Sequence, residues 1–202
     1  NQAFRYYRDG IFTNSEHGNE VHFVTLVGWG EEDGIPFWIA RNTWGSSWGE
    51  RGYIRLLRGR DLLGVESSCS WSLPSQSRQS PAKTPLRASF SSCGFPTDWT
   101  ATPQVVRSPL PISYVNVSSL PSVFDIRSLD GVDYSTPGHT QRSPQFCDAC
   151  WAQATAAALS DRLQLQRGRA WPTVEVSAQT LLNCAPGSCS GGDAGEAYRY
   201  VY

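Results

Sequence analysis

Residues 141–152 read Gln141-Arg142-Ser143-Pro144-Gln145-Phe146-Cys147-Asp148-Ala149-Cys150-Trp151-Ala152. From Cys150 onward the chain carries good helix formers and no Gly or Pro until Gly168. That pattern predicts a helix over Cys150 to Gln166, stopped by Gly168 just past Arg167. Ala152, Ala154, Ala156, Ala157 and Ala158 give this helix a side of small residues on which neighbours pack closely. Cys150 opens the helix. A thiol becomes a nucleophile when its pKa falls, and a helix N-terminus beside an imidazolium lowers it. Local sequence supplies the first of those two ingredients.

Side chains that complete such chemistry lie upstream. His22 sits in VHFVTLVGWG and Asn42 in WIARNTWGSSWGERGY. Thiol, imidazole and amide are the types of a nucleophile, its base and the group that orients the base. Each has a plainer account when taken alone. A His in an apolar stretch is often a satisfied core residue, and an Asn often serves a turn. Cys147 and Cys150 also have the spacing of a disulfide or C-x-x-C redox pair, although the Trp follows the second Cys and no βαβ unit surrounds it. Cys147, Cys150, Cys184 and Cys189 form a candidate zinc set, better spaced in its first pair than its second. His17 and His139 lie in polar loops and read as surface residues.

Outward from these motifs the chain divides into three textures. Residues 1–72 are strand-like, with apolar runs over Val21–Val27, Phe37–Arg41 and Gly52–Leu56 punctuated by glycines. Residues 73–119 are rich in Ser and Pro without a helix or strand period, the texture of a linker or propeptide, ending in an extended SPLPISY. Residues 120–202 turn helical. A second helix is expected from a Ser177 cap through Leu181 and Leu182 to Cys184, and a third near Asp193. The fold class is therefore α+β, a β-rich part followed by a helical part.

With 202 residues the chain fits one domain or two small ones. A formal charge of −1 leaves no basic excess for nucleic acid or an acidic membrane surface. No apolar run approaches a bilayer span and no signal peptide is evident. The chain starts at Asn1 and holds no Met, which reads as an excised or processed piece. Six cysteines favour an oxidising compartment, and with Cys150 reserved as a thiol the other five cannot all pair internally. Asn116-Val117-Ser118 is a sequon that a secretory route would allow to be glycosylated.

GWG after His22, FWIARNTWGSSWGERGYIRL, CDACWA and SCSGGDAGEAY together resemble the papain-like cysteine peptidases. LPSVFDIRSLDGVDY, the RSPQF loop and WAQATAAALSDRLQLQRGRAWP are more narrowly similar to the cathepsin X (cathepsin Z) group, which are carboxypeptidases. The matching segments are 1–71 and 120–202. This resemblance implies a helical half and a β-rich half facing each other across a cleft. It implies Cys150 as nucleophile, His22 as base and then acid, Asn42 as the holder of the imidazole and Trp44 as its shield. Gln141 would donate to the oxyanion beside the Cys150 backbone N–H. The backbone of Gly191 and Gly192 would bind the substrate chain, and Cys147 would pair with Cys189. No metal or organic cofactor is implied. The partner is a peptide or protein substrate, and the compartment lysosomal or extracellular.

Two positions depart from that pattern. Arg142 stands where the cathepsin X loop carries a His that grips the substrate's terminal carboxylate. A guanidinium grips a carboxylate bidentately, so it would keep that role; as an ordinary loop charge it would not. Asp148 replaces a Gly beside the substrate path, where a carboxylate disfavours the thiolate. The order is also inverted, since the family places the Cys segment first. With Cys93 falling where a propeptide cysteine would, the expectation is a tail of one peptidase unit, a propeptide-like stretch and the head of another, as in a tandem array or mis-joined gene model. A circular permutant lacking its middle is the competing account. By the same analogy Cys69 and Cys184 lose their partners to the missing stretch.

Overall fold

The computed structural model describes residues 1–16, 21–72, 113–143 and 145–201. His17, Cys93 and nearly all of the Ser/Pro-rich stretch lie outside the described residues.

The first part builds a mixed sheet. Its strands are β1 (Ile11–Phe12), β2 (Thr25–Glu32), β3 (Ile35–Arg41), β4 (Tyr53–Leu57) and β5 (Phe124–Asp125), in spatial order β1-β4-β3-β2-β5. β2 and β3 form an antiparallel hairpin whose register shifts between Leu26 and Gly28, and β1 lies parallel to β4. The alternation of side chains along a strand sends Ala40, Ile54 and Leu56 to one face, where they pack on Tyr7, Phe12 and Leu62. Val27 and Ile39 pack with Ile126 in a separate cluster. A short helix, α1 (Gln2–Arg5), capped by the Asn1 side chain, precedes β1.

Two expectations are corrected here. The apolar run from Val21 is not strand from its start: pairing begins at Thr25 and continues through the GWG glycines to Glu32. Apolar composition marks burial, whereas ladder formation needs a partner, and β3 pairs with β2 only from Thr25 onward. Secondly, the segment from 120 is not purely helical. Phe124 and Asp125 join the sheet as its edge, opposite Trp29 and Gly28.

The helical expectations hold closely. α2 spans Cys150–Gln166 with its C-cap at Arg167. α3 spans Ala178–Cys184, with the Ser177 hydroxyl accepting from the Thr180 N–H at 3.2 Å. α4 spans Ala194–Val201, its first turn capped by Asp193 Oδ1 on the Glu196 N–H at 2.9 Å. Between them β6 (Gly187–Ser188) and β7 (Gly191–Gly192) pair antiparallel.

α2 is buried on several sides. Trp151, Ala152 and Ala156 meet Leu181, Ala185 and Ala197 in one cluster, while Ala157 and Ala158 stay half-exposed. Of its buried polar side chains, Ser160 is fully engaged: its hydroxyl donates to the Ala156 carbonyl at 2.6 Å and accepts from the Val176 N–H at 2.8 Å. The fold is thus α+β, with β2 running beside α2.

Candidate active site

β3 delivers Arg41 and then Asn42, which is 3% exposed. The Asn42 side-chain oxygen accepts from the Thr43 backbone N–H at 2.8 Å and faces His22 Nε2 at 2.6 Å. A backbone N–H can only donate, which identifies that Asn42 atom as the carbonyl oxygen. An oxygen acceptor in turn requires the facing imidazole nitrogen to carry the hydrogen. In the neutral ring this leaves Nδ1 with the lone pair, so the proton-accepting nitrogen is the one turned away from Asn42.

Aromatic side chains enclose the pair. Trp44 stacks on the His22 ring at 4.7 Å and 29°, and Phe4 of α1 meets both rings edge-on, at 6.0 Å from His22 and 5.7 Å from Trp44. Trp48 backs Trp44 edge-on at 5.3 Å, and its indole N–H donates to the Arg5 carbonyl. Excluding water from the imidazole–amide bond strengthens it, because the local dielectric falls. Phe4 was not legible as a site residue: only the docking of α1 onto Trp48 brings it there.

Gln141 is 6% exposed and anchored to the same segment as Asn42. Its N–H donates to the Thr43 carbonyl at 2.9 Å, and its Oε1 accepts from the Thr43 hydroxyl at 2.6 Å. Its amide nitrogen donates to the Cys147 carbonyl at 3.2 Å, and a primary amide has a second N–H to give. Thr43, also missed in the sequence, therefore holds the Asn42 and Gln141 side chains at once. The one signal was its place inside RNTWG.

Cys150 is fully buried as the first residue of α2, and Ala149 offers the helix no side-chain cap. The N-terminal dipole of a seventeen-residue helix therefore acts at this thiol. Phe23, next to His22, packs into the cluster that holds Trp151, next to Cys150. The Thr25 hydroxyl donates to the Ala154 carbonyl at 3.1 Å, tying the start of β2 to the second turn of α2. An antiparallel bridge between Trp44 and Thr140 completes the junction. His22, Asn42, Trp44, Gln141 and Cys150 are thus brought to one region from three separated segments.

The remaining candidates fall around it. The Arg142 guanidinium lies over the Trp44 ring at 4.9 Å. Gly191 and Gly192 are both buried in β7. Gly192 has a packing reason of its own, since an added Cβ would sit 2.4 Å from the Trp151 ring. Cys147 is joined to Cys189, and the Asp148 N–H donates to the Cys189 carbonyl at 3.0 Å. His139 is exposed and faces Glu175 at 3.3 Å. Cys69 and Cys184 are exposed and take no part in a disulfide.

The Cys147–Cys189 bond overturns two alternatives. A C-x-x-C redox pair requires Cys147 and Cys150 to bond each other, and a four-thiolate zinc site requires all four sulfurs as thiolates. Both are closed once Cys147 and Cys189 share a disulfide.

A family model for the papain family cysteine proteases matches residues 1–73 and 120–202. The chain belongs to that family. It is 40% identical to cathepsin Z of Onchocerca volvulus over 88 residues, which are 43% of this chain and 29% of that protein. It is 53% identical to germination-specific cysteine protease 1 of Arabidopsis thaliana over 74 residues, 33% of this chain and 20% of that protein. Thiol protease aleurain from the same plant is 37% identical over 73 residues, 34% of this chain and 20% of that protein. The chain thus spans between a fifth and a third of the length of these relatives. A solved structure from a study of antibody cross-reactivity between the mite allergens Blo t 1 and Der p 1 is 39% identical, covering 32% of this chain and 22% of that one, with a TM-score of 0.30.

Proposed function

We propose that this chain carries a cysteine peptidase site in which Cys150 is the nucleophile, His22 its base and later acid, Asn42 the orienting amide and Gln141 an oxyanion donor. The observation that carries the reading is the double use of the Asn42 oxygen by Thr43 and His22. It supports Nε2 as the donor to Asn42, which in this reading leaves Nδ1 to take the thiol proton. The thiolate adds to the scissile carbonyl carbon, and the negative charge moves onto oxygen, facing the second Gln141 N–H and the Cys150 backbone N–H. As the C–N bond breaks, the imidazolium returns the proton to the leaving amine and a thioester remains. Water, deprotonated by His22, then attacks the thioester, releasing acid and restoring the thiol.

The finer reading is a carboxypeptidase. Arg142 over Trp44 places a guanidinium at the rim of the same region, suited to the terminal carboxylate of a peptide. Gly191 and Gly192 would offer backbone to the substrate chain. The family's substrates are peptides, and a disulfide-bonded chain fits a lysosomal or extracellular setting. We read residues 1–72 and 120–202 as parts of neighbouring papain units of a longer product, joined through 73–119. A complete Met-initiated reading frame encoding only these residues would refute that arrangement.

The test of the site is covalent labelling of the whole chain by an epoxide or vinyl-sulfone probe. Modification of Cys150 alone, lost in His22→Ala, is the expected result. Labelling indifferent to His22, or no labelling of the folded chain, leaves a papain-like binding protein, the outcome Asp148 would favour by opposing the thiolate.

A further inference from the structure

Resting on that reading of the site, we infer that Arg41 and Asp161 are positioning residues for it: one buried ion pair fixes the three segments that carry Asn42, Gln141 and Cys150 relative to one another. Arg41 ends β3, and its guanidinium crosses to the helical part of the chain. One nitrogen donates to Asp161 Oδ2 at 2.8 Å and another to the Thr136 carbonyl at 2.6 Å. The other oxygen of Asp161 accepts from the Thr136 N–H at 2.7 Å and from its hydroxyl at 2.8 Å. Arg41 and Asp161 are each 3% exposed, as is Thr136. Both carboxylate oxygens and two guanidinium nitrogens are therefore engaged within one knot.

Each strand of the knot leads to a site residue. Arg41 directly precedes Asn42, so moving its backbone moves the oxygen that holds His22. Thr136 begins the stretch that reaches Gln141, itself bonded back to Thr43. Asp161 follows Cys150 by three helical turns, which puts both on the same side of α2, about 16 Å apart along its axis. A rigid helix transmits the position of one end to the other. A buried pair with all its oxygens satisfied tolerates little displacement, because any slip leaves charge unsolvated.

The test is the pH dependence of probe labelling at Cys150 in the whole chain, comparing wild type with Asp161→Asn and Arg41→Lys. Other charged or titratable groups on the segments involved are His139, Arg142, Asp148 and Arg162, and every variant retains them. In folded Asp161→Asn the rate is expected to fall tenfold or more, and its acid limb to move to higher pH, because a displaced imidazole no longer stabilises the thiolate. Arg41→Lys keeps the charge but gives up the two-pronged bond, so it is expected to show a smaller shift in the same direction. A folded variant that melts at lower temperature yet labels with the wild-type profile overturns the inference, because a purely structural role predicts that result. Should Asp161→Asn fail to fold, Arg41→Lys decides by the same two criteria. An unreactive wild-type chain would refute the peptidase reading instead.

Discussion

Gly192→Ala isolates one contact on which the region depends. The φ of Gly192 is not positive, so alanine meets no backbone penalty there and the effect is purely steric. Its Cβ would stand 2.4 Å from Trp151 Cε2 and 2.5 Å from Cδ2. Carbon atoms rest at about 3.5–4 Å, so the overlap exceeds about 1 Å. The indole has little room to withdraw. It is wholly buried, its N–H donates to the Ser188 carbonyl, and Gly187 also approaches it, an added Cβ there lying 2.4 Å from Cζ2. The substitution should cost about 2–3 kcal/mol, in the upper range for overpacking. For a chain of this size that lowers Tm by about 4–12 °C. Thermal unfolding followed by circular dichroism reads it. Gly168→Ala is the control, with a φ of +57° and nothing within 4 Å, so only the left-handed backbone term of about 1–2 kcal/mol applies. Trp151→Phe, which removes the crowded atoms, should recover part of the loss when combined with Gly192→Ala. A Gly192→Ala protein as stable as wild type, or additive with Trp151→Phe, would refute the steric account.

Three further outcomes are expected. Cys189→Ser opens a loop whose ends are 42 residues apart, and the chain-entropy model assigns the cross-link about 4 kcal/mol; denaturant unfolding of the variant beside wild type measures it. Glu50 is pushed up by partial burial, but bonds from Arg55 and the Gly10 N–H outweigh that and hold its carboxyl below the usual glutamate range. With the folded pKa lowered, its contribution is present above the ordinary carboxyl range and lost as pH falls through it. Wild type should therefore lose more stability than Glu50→Gln on acidification, and equal losses would count against the ion pair. Arg142→Ala should raise KM about tenfold or more for peptides with a free C-terminus while leaving C-terminally amidated peptides nearly unchanged; equal effects on both would remove Arg142 from carboxylate recognition.

The sequence by itself determined the elements whose signals are local. The Ser177 side chain, the Ala-rich run after Cys150 and the stop at Arg167-Gly168 placed two helices, because caps and breakers act within one or two turns. The RNTWG and C-x-x-C-W motifs singled out Asn42 and Cys150 only through their resemblance to the papain-like peptidases, since side-chain type and spacing alone left each with a plainer account. Tertiary structure decided what depends on partners far along the chain. Pairing with β3 set the start of β2 at Thr25, and pairing with β2 turned Phe124 and Asp125 into an edge strand. The choice of Cys189 over Cys150 as the partner of Cys147 was open to composition alone and needed the β6–β7 turn beside α2. The tautomer of His22 and the linkage from Arg41 to Asp161 were likewise invisible, since both arise from contacts that sequence separation hides and only the packed chain creates.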